Sequence, residues 1–112
     1  MKALEEKILK EGQVLPGNVL KVGSFLNQQV DAVFLKEMAK ETRRLFSGEL
    51  ITKVLTVEAS GIAFATAVAM ELGVPMVFAK KHPSANVSGE QYSAAVYSYT
   101  HKQTYNVAVT KD

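Results

Sequence analysis

The sequence has no cysteine. Disulfides and thiolate metal sites are therefore excluded, and a cytoplasmic setting fits. An excess of one charge is also missing. Thirteen basic and eleven acidic residues leave a formal net charge of +2. So balanced a chain lacks the concentrated basic face of a nucleic-acid binder, and no nucleic-acid partner is expected. Long apolar runs are absent as well. The longest, Gly61 to Met70, is too short and too rich in alanine to span a membrane. Met1-Lys2-Ala3-Leu4 opens an amphipathic helix and not a signal peptide, because Glu5, Glu6 and Lys7 interrupt any apolar run. His82 and His101 stand far apart in different settings, so zinc is rejected and no metal ligand is assigned. No Gly-Lys-Ser/Thr phosphate loop, nucleophile elbow or Rossmann fingerprint occurs. There is no internal repeat, low-complexity tract or interdomain linker.

What remains is a chain of 112 residues, 47% of them hydrophobic, which is read as one domain over 1–112. A helix is expected from Lys2 to Glu11, with Leu4 and Ile8 on one face, a Glu6–Lys10 pair, and Gly12 as its stop. Leu15 to Asn18 reads as a turn and Val19 to Val22 as a short strand or extended arm. Asp31 reads as the N-cap of a helix to about Phe46. Its apolar stripe is Phe34, Leu35, Met38, Thr42, Leu45 and Phe46. His82 to Glu90 is small, polar and turn-rich, as a mobile loop is. Gln91 to Thr100 and Tyr105 to Thr110 read as the strands of a hairpin, with the tyrosines as core and edge residues.

Between these lies the pattern that defines the fold class, α/β. Ile51 to Val57 reads as a strand buried on both faces, Glu58-Ala59-Ser60-Gly61 as a tight turn, and Ile62 to Leu72 as an alanine-rich helix closed by Gly73. Val74 to Ala79 is a second strand that delivers Lys80 and Lys81. A βαβ unit puts both strand C-termini on one edge of a parallel sheet, where open α/β sheets bind ligands. The turn aims backbone N–H groups at a helix start, and two lysines beside it make phosphate the expected anion. Taken alone, the same residues also fit an ordinary turn with Ser60 as N-cap and a solvated lysine pair. Leu20 alone is a core leucine and Asn27 a loop asparagine.

Thr56 to Ala63 followed by Gly73 to His82 resembles the first half of a type I phosphoribosyltransferase. Gly12, Leu15, Val19 to Val22, Ser24 to Asn27 and Asp31 narrow the resemblance to the bacterial xanthine enzymes. The resemblance implies a parallel sheet (31–112) preceded by an N-terminal hood (1–30). It implies purine salvage, in which xanthine and phosphoribosyl pyrophosphate give xanthosine monophosphate and pyrophosphate. Ala59, Ser60, Gly61, Lys80 and Lys81 would meet the pyrophosphate, with Lys80 also placed to serve a neighbouring subunit of a homodimer. Leu20 and Asn27 would meet the purine, the leucine on its face and the amide on its alternating N–H and C=O edge. Magnesium would come with the donor, and the segment from Pro83 to Gln91 would close over the site. Glu58 would accept hydrogen bonds from the turn or lie near the magnesium.

One part of the family pattern is not in the sequence. The strand ending in two adjacent acidic residues, which holds the ribose 5-phosphate in type I enzymes, has no counterpart. The only adjacent acidic pair, Glu5-Glu6, belongs to the first helix. An incomplete C-terminal portion and an inactive isolated chain are the expectations. A non-catalytic purine- or phosphate-binding module on the same fold is the alternative.

Overall fold

The computed structural model describes residues 1–81, 91–98 and 103–110, with the side chains of 27, 91, 96–98, 103–105 and 110 left aside. Helix α1 (Lys2–Glu11) is followed by a hairpin of β1 (Gln13–Leu15) and β2 (Val19–Lys21). A π-helical turn, Gly23–Asn27, then leads to α2 (Ala32–Leu45). Strand β3 (Val54–Val57), helix α3 (Ile62–Leu72) and strand β4 (Met76–Ala79) form the βαβ unit. Strands β5 (Gln91–Ser98) and β6 (Gln103–Thr110) pair antiparallel.

The βαβ reading is borne out. β3 and β4 run parallel in register, from Val54 opposite Met76 to Val57 opposite Ala79. Gly73 closes α3 in the left-handed region, at φ 69°, where glycine carries no Cβ penalty. Ala65, Val68 and Ala69 are its buried face. This i, i+3, i+4 set is a single apolar stripe on α3, which packs against α2, β3 and β4. Backbone bonds from Lys80 N–H to Ala108 O and from Ala108 N–H to Lys80 O, both 2.9 Å, fasten β4 to β6.

Several boundaries and pairings differ from expectation. The expected short strand at Val19 is present, and it pairs with Gln13–Leu15 as a hairpin, because Gly17 and Asn18 both take positive φ and turn the chain back. Gly12 does end α1, but with extended dihedrals; a Cβ there would sit 2.5 Å from the Ile8 carbonyl oxygen. Space, not handedness, calls for glycine at this position. The i,i+4 pair on α1 is Lys7–Glu11 at 2.9 Å, not Glu6–Lys10. Leu45 and Phe46 are exposed, and Ala39 joins Phe34 and Leu35 in the buried face of α2.

β3 is not buried on both faces. Val54 and Thr56 turn inward, whereas Leu55 is 64% exposed. Successive strand residues face opposite sides, and α3 covers only one of them. The Cα radius of gyration of 15.9 Å exceeds the roughly 13 Å of a compact domain this long. No helix among the described residues is long and apolar enough to cross a membrane.

Candidate active site

The parallel ladder of β3 and β4 ends with Glu58 N–H donating to Ala79 O at 3.1 Å. The Glu58 side chain then carries the pairing one step further. Its Oε1 accepts the backbone N–H of Lys81 at 2.6 Å. This acceptor role differs from the turn hydrogen bonds expected for Glu58, since the donor lies across the strands and not within the turn. The carboxylate is aimed at a backbone amide of β4's continuation, so it fixes where Lys81 leaves the sheet.

Ala59, Ser60 and Gly61 form the turn above this edge, after a cis Glu58–Ala59 peptide. Ile62 N–H donates to Ala59 O at 3.1 Å and Ala65 N–H to Gly61 O at 3.0 Å. Ser60 is not the N-cap. That position is Gly61, and no side chain caps the first turn of α3. A helix start without a side-chain cap keeps its N–H dipoles directed outward, which suits an anion. Gly61 is required for another reason: a Cβ there would run into the Thr56 hydroxyl. Lys80 and Lys81 therefore arrive beside the turn as expected. Lys80 is held through its backbone to Ala108, and Lys81 through Glu58.

The two purine-side candidates sit on different elements. Leu20 lies in β2 and is about half exposed, with its Cδ1 against the Gly12 position of α1. Asn27 ends the π-helical turn. Its neighbour Leu26 joins hood and turn. A cavity of about 250 Å³ is lined by Leu26, by Leu35 and Met38 of α2, and by Ser60, Gly61 and Phe64. Leu26 was not singled out from the sequence as a site residue; its one signal was its place beside Asn27 in Ser24 to Asn27. A larger open cavity of about 550 Å³, lined by Glu11, Gln13, Lys21, Ser24, Gln28 and Gln29, occupies the other side of the hairpin. Lys21 and Leu20 are successive strand residues and point to opposite faces, so Leu20 is on the side away from Lys21.

The hood is held by charge. Lys7 Nζ donates to Asp31 Oδ2 at 2.7 Å and pairs with Glu11 at 2.9 Å. The hydrogen bond to Asp31, and then that to Glu11, holds the Lys7 ammonium above its ordinary pKa. Lys7 and then the Phe34 N–H hold the Asp31 carboxyl below its own. Asp31 is the N-cap of α2 as expected, its Oδ1 accepting Phe34 N–H at 3.0 Å.

Among the described residues no group of three or more histidine, aspartate or glutamate side chains is arranged to hold a metal ion. His82, His101, Tyr99 and the segment from Pro83 to Glu90 lie outside the described residues.

No family model matches the chain. Curated relatives do. A xanthine phosphoribosyltransferase of Lachnoclostridium phytofermentans is 52% identical over 99% of this chain and 57% of its own length. That of Lactobacillus johnsonii is 54% identical over 99% of this chain and 58% of its own, and that of Bacillus cereus 47% over 100% and 57%. The chain thus spans a little over half the length of the relatives it matches. Among solved structures, the adenine phosphoribosyltransferase of Giardia lamblia complexed with 9-deazaadenine superposes with a TM-score of 0.70. It is 20% identical and covers 93% of this chain and 57% of the other. The Saccharomyces cerevisiae adenine enzyme gives 0.66 at 17% identity, covering 100% of this chain and 65% of the other. These structural matches establish the type I phosphoribosyltransferase fold, and the sequence matches bear out the resemblance to the bacterial xanthine branch.

Proposed function

We propose that this chain, similar throughout to bacterial xanthine phosphoribosyltransferases and folded as a type I phosphoribosyltransferase, is the N-terminal portion of a purine-salvage enzyme. Xanthine and phosphoribosyl pyrophosphate are its substrates, and xanthosine monophosphate and pyrophosphate its products. The observation that carries this reading is identity of 47–54% along nearly the whole chain. The geometry agrees: the turn with its uncapped helix start and the two lysines share the edge at which α/β sheets bind ligands.

In this reading Ala59, Ser60 and Gly61 offer the leaving pyrophosphate hydrogen-bond donors, and Lys81 offers it a positive charge. Lys80 serves the same site or that of a partner in a homodimer. Glu58 holds the Lys81 backbone in place and so does not oppose the anion directly. Residues 1–30 act as the hood, with Leu20 and Asn27 against the purine, and 31–112 as the core. Magnesium, arriving with the donor, would supply positive charge to the leaving pyrophosphate, since no cluster of described acidic or histidine side chains is arranged to hold it. The reaction replaces the C1–oxygen bond of the donor by a bond from C1 to a purine nitrogen, and C1 becomes oxocarbenium-like between them. The protein's share is positioning and electrostatic stabilisation. Residues 1–112 alone lack the acidic ribose-binding motif and should not turn over. The setting is cytoplasmic, in keeping with the chemistry of salvage.

The test is product formation by the complete natural protein, given phosphoribosyl pyrophosphate, magnesium and either xanthine, guanine or hypoxanthine. Xanthosine monophosphate with released pyrophosphate is expected from xanthine. No nucleotide product from xanthine would overturn the reading.

A further inference from the structure

The Lys7 ammonium is the meeting point of three segments that are distant in sequence. It bonds Asp31 at 2.7 Å and Glu11 at 2.9 Å, and stands 5.8 Å from the Phe25 ring centroid and 5.3 Å from that of Phe34. The two rings meet edge to face at 6.1 Å. Phe25 is 1% exposed and lies inside the π-helical turn. Backbone bonds also close the turn, among them Leu26 N–H to Val22 O and Asp31 N–H to Phe25 O. One cation therefore ties α1, the π-helical turn and the N-cap of α2 together. Beyond Phe25 come Leu26, which lines the same cavity as Ser60 and Gly61, and Asn27.

We propose that Lys7 is a positioning residue for the purine side of the site, clamping the π-helical turn so that Leu26 and Asn27 are presented to the base. The proposal rests on the purine reading of the hood given above. Lys7 touches no substrate. It acts through Asp31 and the Phe25–Phe34 pair, and its loss should loosen the turn while leaving the Glu58–Lys81 edge as it is. An ammonium over aromatic faces and a charge-assisted bond to a capping carboxylate each favour one geometry, and a loosened positioning element far from the reacting bond is felt in substrate binding.

The experiment uses three variants of the complete natural protein. Lys7→Met keeps an unbranched chain over the rings without the charge. Lys7→Arg keeps the charge and its reach to carboxylates. Asp31→Asn keeps a good N-cap but removes the ionic partner. Two quantities are read: the steady-state constants for xanthine and for donor, and amide hydrogen exchange at residues 23–31 against α3. Lys7→Met and Asp31→Asn should raise the KM for xanthine roughly tenfold, with kcat and the donor KM within about twofold. Exchange at 23–31 should quicken by roughly the same factor while α3 is unchanged. Lys7→Arg should restore both. The double variant should be little worse than either single one, because both break one clamp. Unchanged exchange at 23–31 overturns the clamp. Faster exchange with an unchanged xanthine KM, or an equal loss in both KM values and kcat, overturns the positioning role. A parent protein that makes no product from xanthine defeats the purine reading and the positioning role with it, whereas the exchange data still decide whether Lys7 holds the turn.

Discussion

The hood and the βαβ edge are built by opposite means. The edge is a backbone construction: a parallel ladder in register from Val54 to Val57, extended by one carboxylate, Glu58, onto Lys81. The hood is a side-chain construction. Its hairpin strands are exposed at every position. What ties the hood to the core is the Lys7–Asp31 pair and the Phe25–Phe34 contact, beside a backbone bond from Asp31 N–H to Phe25 O. A backbone ladder tolerates most substitutions that keep the strand, but fails where a Cβ has no room. A side-chain clamp fails when one charge is removed or titrated. The fold of the βαβ edge should therefore be sensitive to sterics, and that of the hood to charge.

Gly61→Ala should have the larger effect on the first half of that contrast. The added methyl meets the Thr56 hydroxyl in the middle of the ladder. Overpacking of this kind costs roughly 1–3 kcal/mol. Urea unfolding should show the loss, and the companion Gly61→Ala/Thr56→Ala should recover most of it. Equal stability of parent and Gly61→Ala would show that the turn shifts freely and that its backbone is not fixed by the strands.

The hood's dependence on charge should appear as a pH effect. Asp31 has a folded-state pKa below its ordinary value, first through Lys7 and then through the Phe34 N–H. Such a group stabilises the fold above its unfolded pKa of about 4, and the stabilisation is lost as pH falls through the lower folded value. Lys7, raised first by Asp31 and then by Glu11, stabilises below its unfolded value and loses this as pH rises through the higher one. The stability difference between parent and Asp31→Asn should then be constant near neutrality and shrink in acid below about pH 4. A difference that stays constant down to about pH 2 would assign the Asp31 contribution to neutral hydrogen bonding alone.

Ser60→Ala should have the smallest effect. A lost serine cap costs about 1 kcal/mol, but Ser60 caps nothing here because Gly61 holds that position. Stability should stay within about 0.5 kcal/mol of the parent, as for exposed surface substitutions. A full cap-sized loss would return Ser60 to the role its sequence context suggests.

The same division explains what could be read from the sequence. The βαβ unit was legible because its signals are local: alternation of strand and helix, Gly73 as a stop, and lysines at a strand end. Asp31 was legible as a cap from its place before an apolar stripe. Ser60 misled because a serine before a helix is a common cap, and only the space set by Thr56 explains why glycine takes the position. The Lys7–Asp31 pair spans 24 positions, and nothing local distinguishes Lys7 from Lys10. Leu55 was read as buried because an apolar run in a strand does not say whether both sheet faces are covered. The π-helical turn carries no residue pattern of its own; it is set by the burial of Phe25. Resemblance to a family supplied Leu20 and Asn27, which neither periodicity nor composition would have raised.

In the proposed reading the edge serves the donor and the hood serves the base, and the most direct test is a pair of single substitutions in the complete natural protein. Lys81→Ala removes the charge at the edge, and Asn27→Ala removes the amide at the end of the π-helical turn. The KM for donor and for xanthine is measured for each. Lys81→Ala should weaken the donor side by roughly 1.5–3 kcal/mol, as for a hydrogen bond to a charged group, and leave xanthine nearly untouched. Asn27→Ala should lower the efficiency for xanthine by about 1–3 kcal/mol and leave donor binding nearly untouched. Crossed effects, or none from either variant, would contradict the assignment of the two regions to two halves of one site.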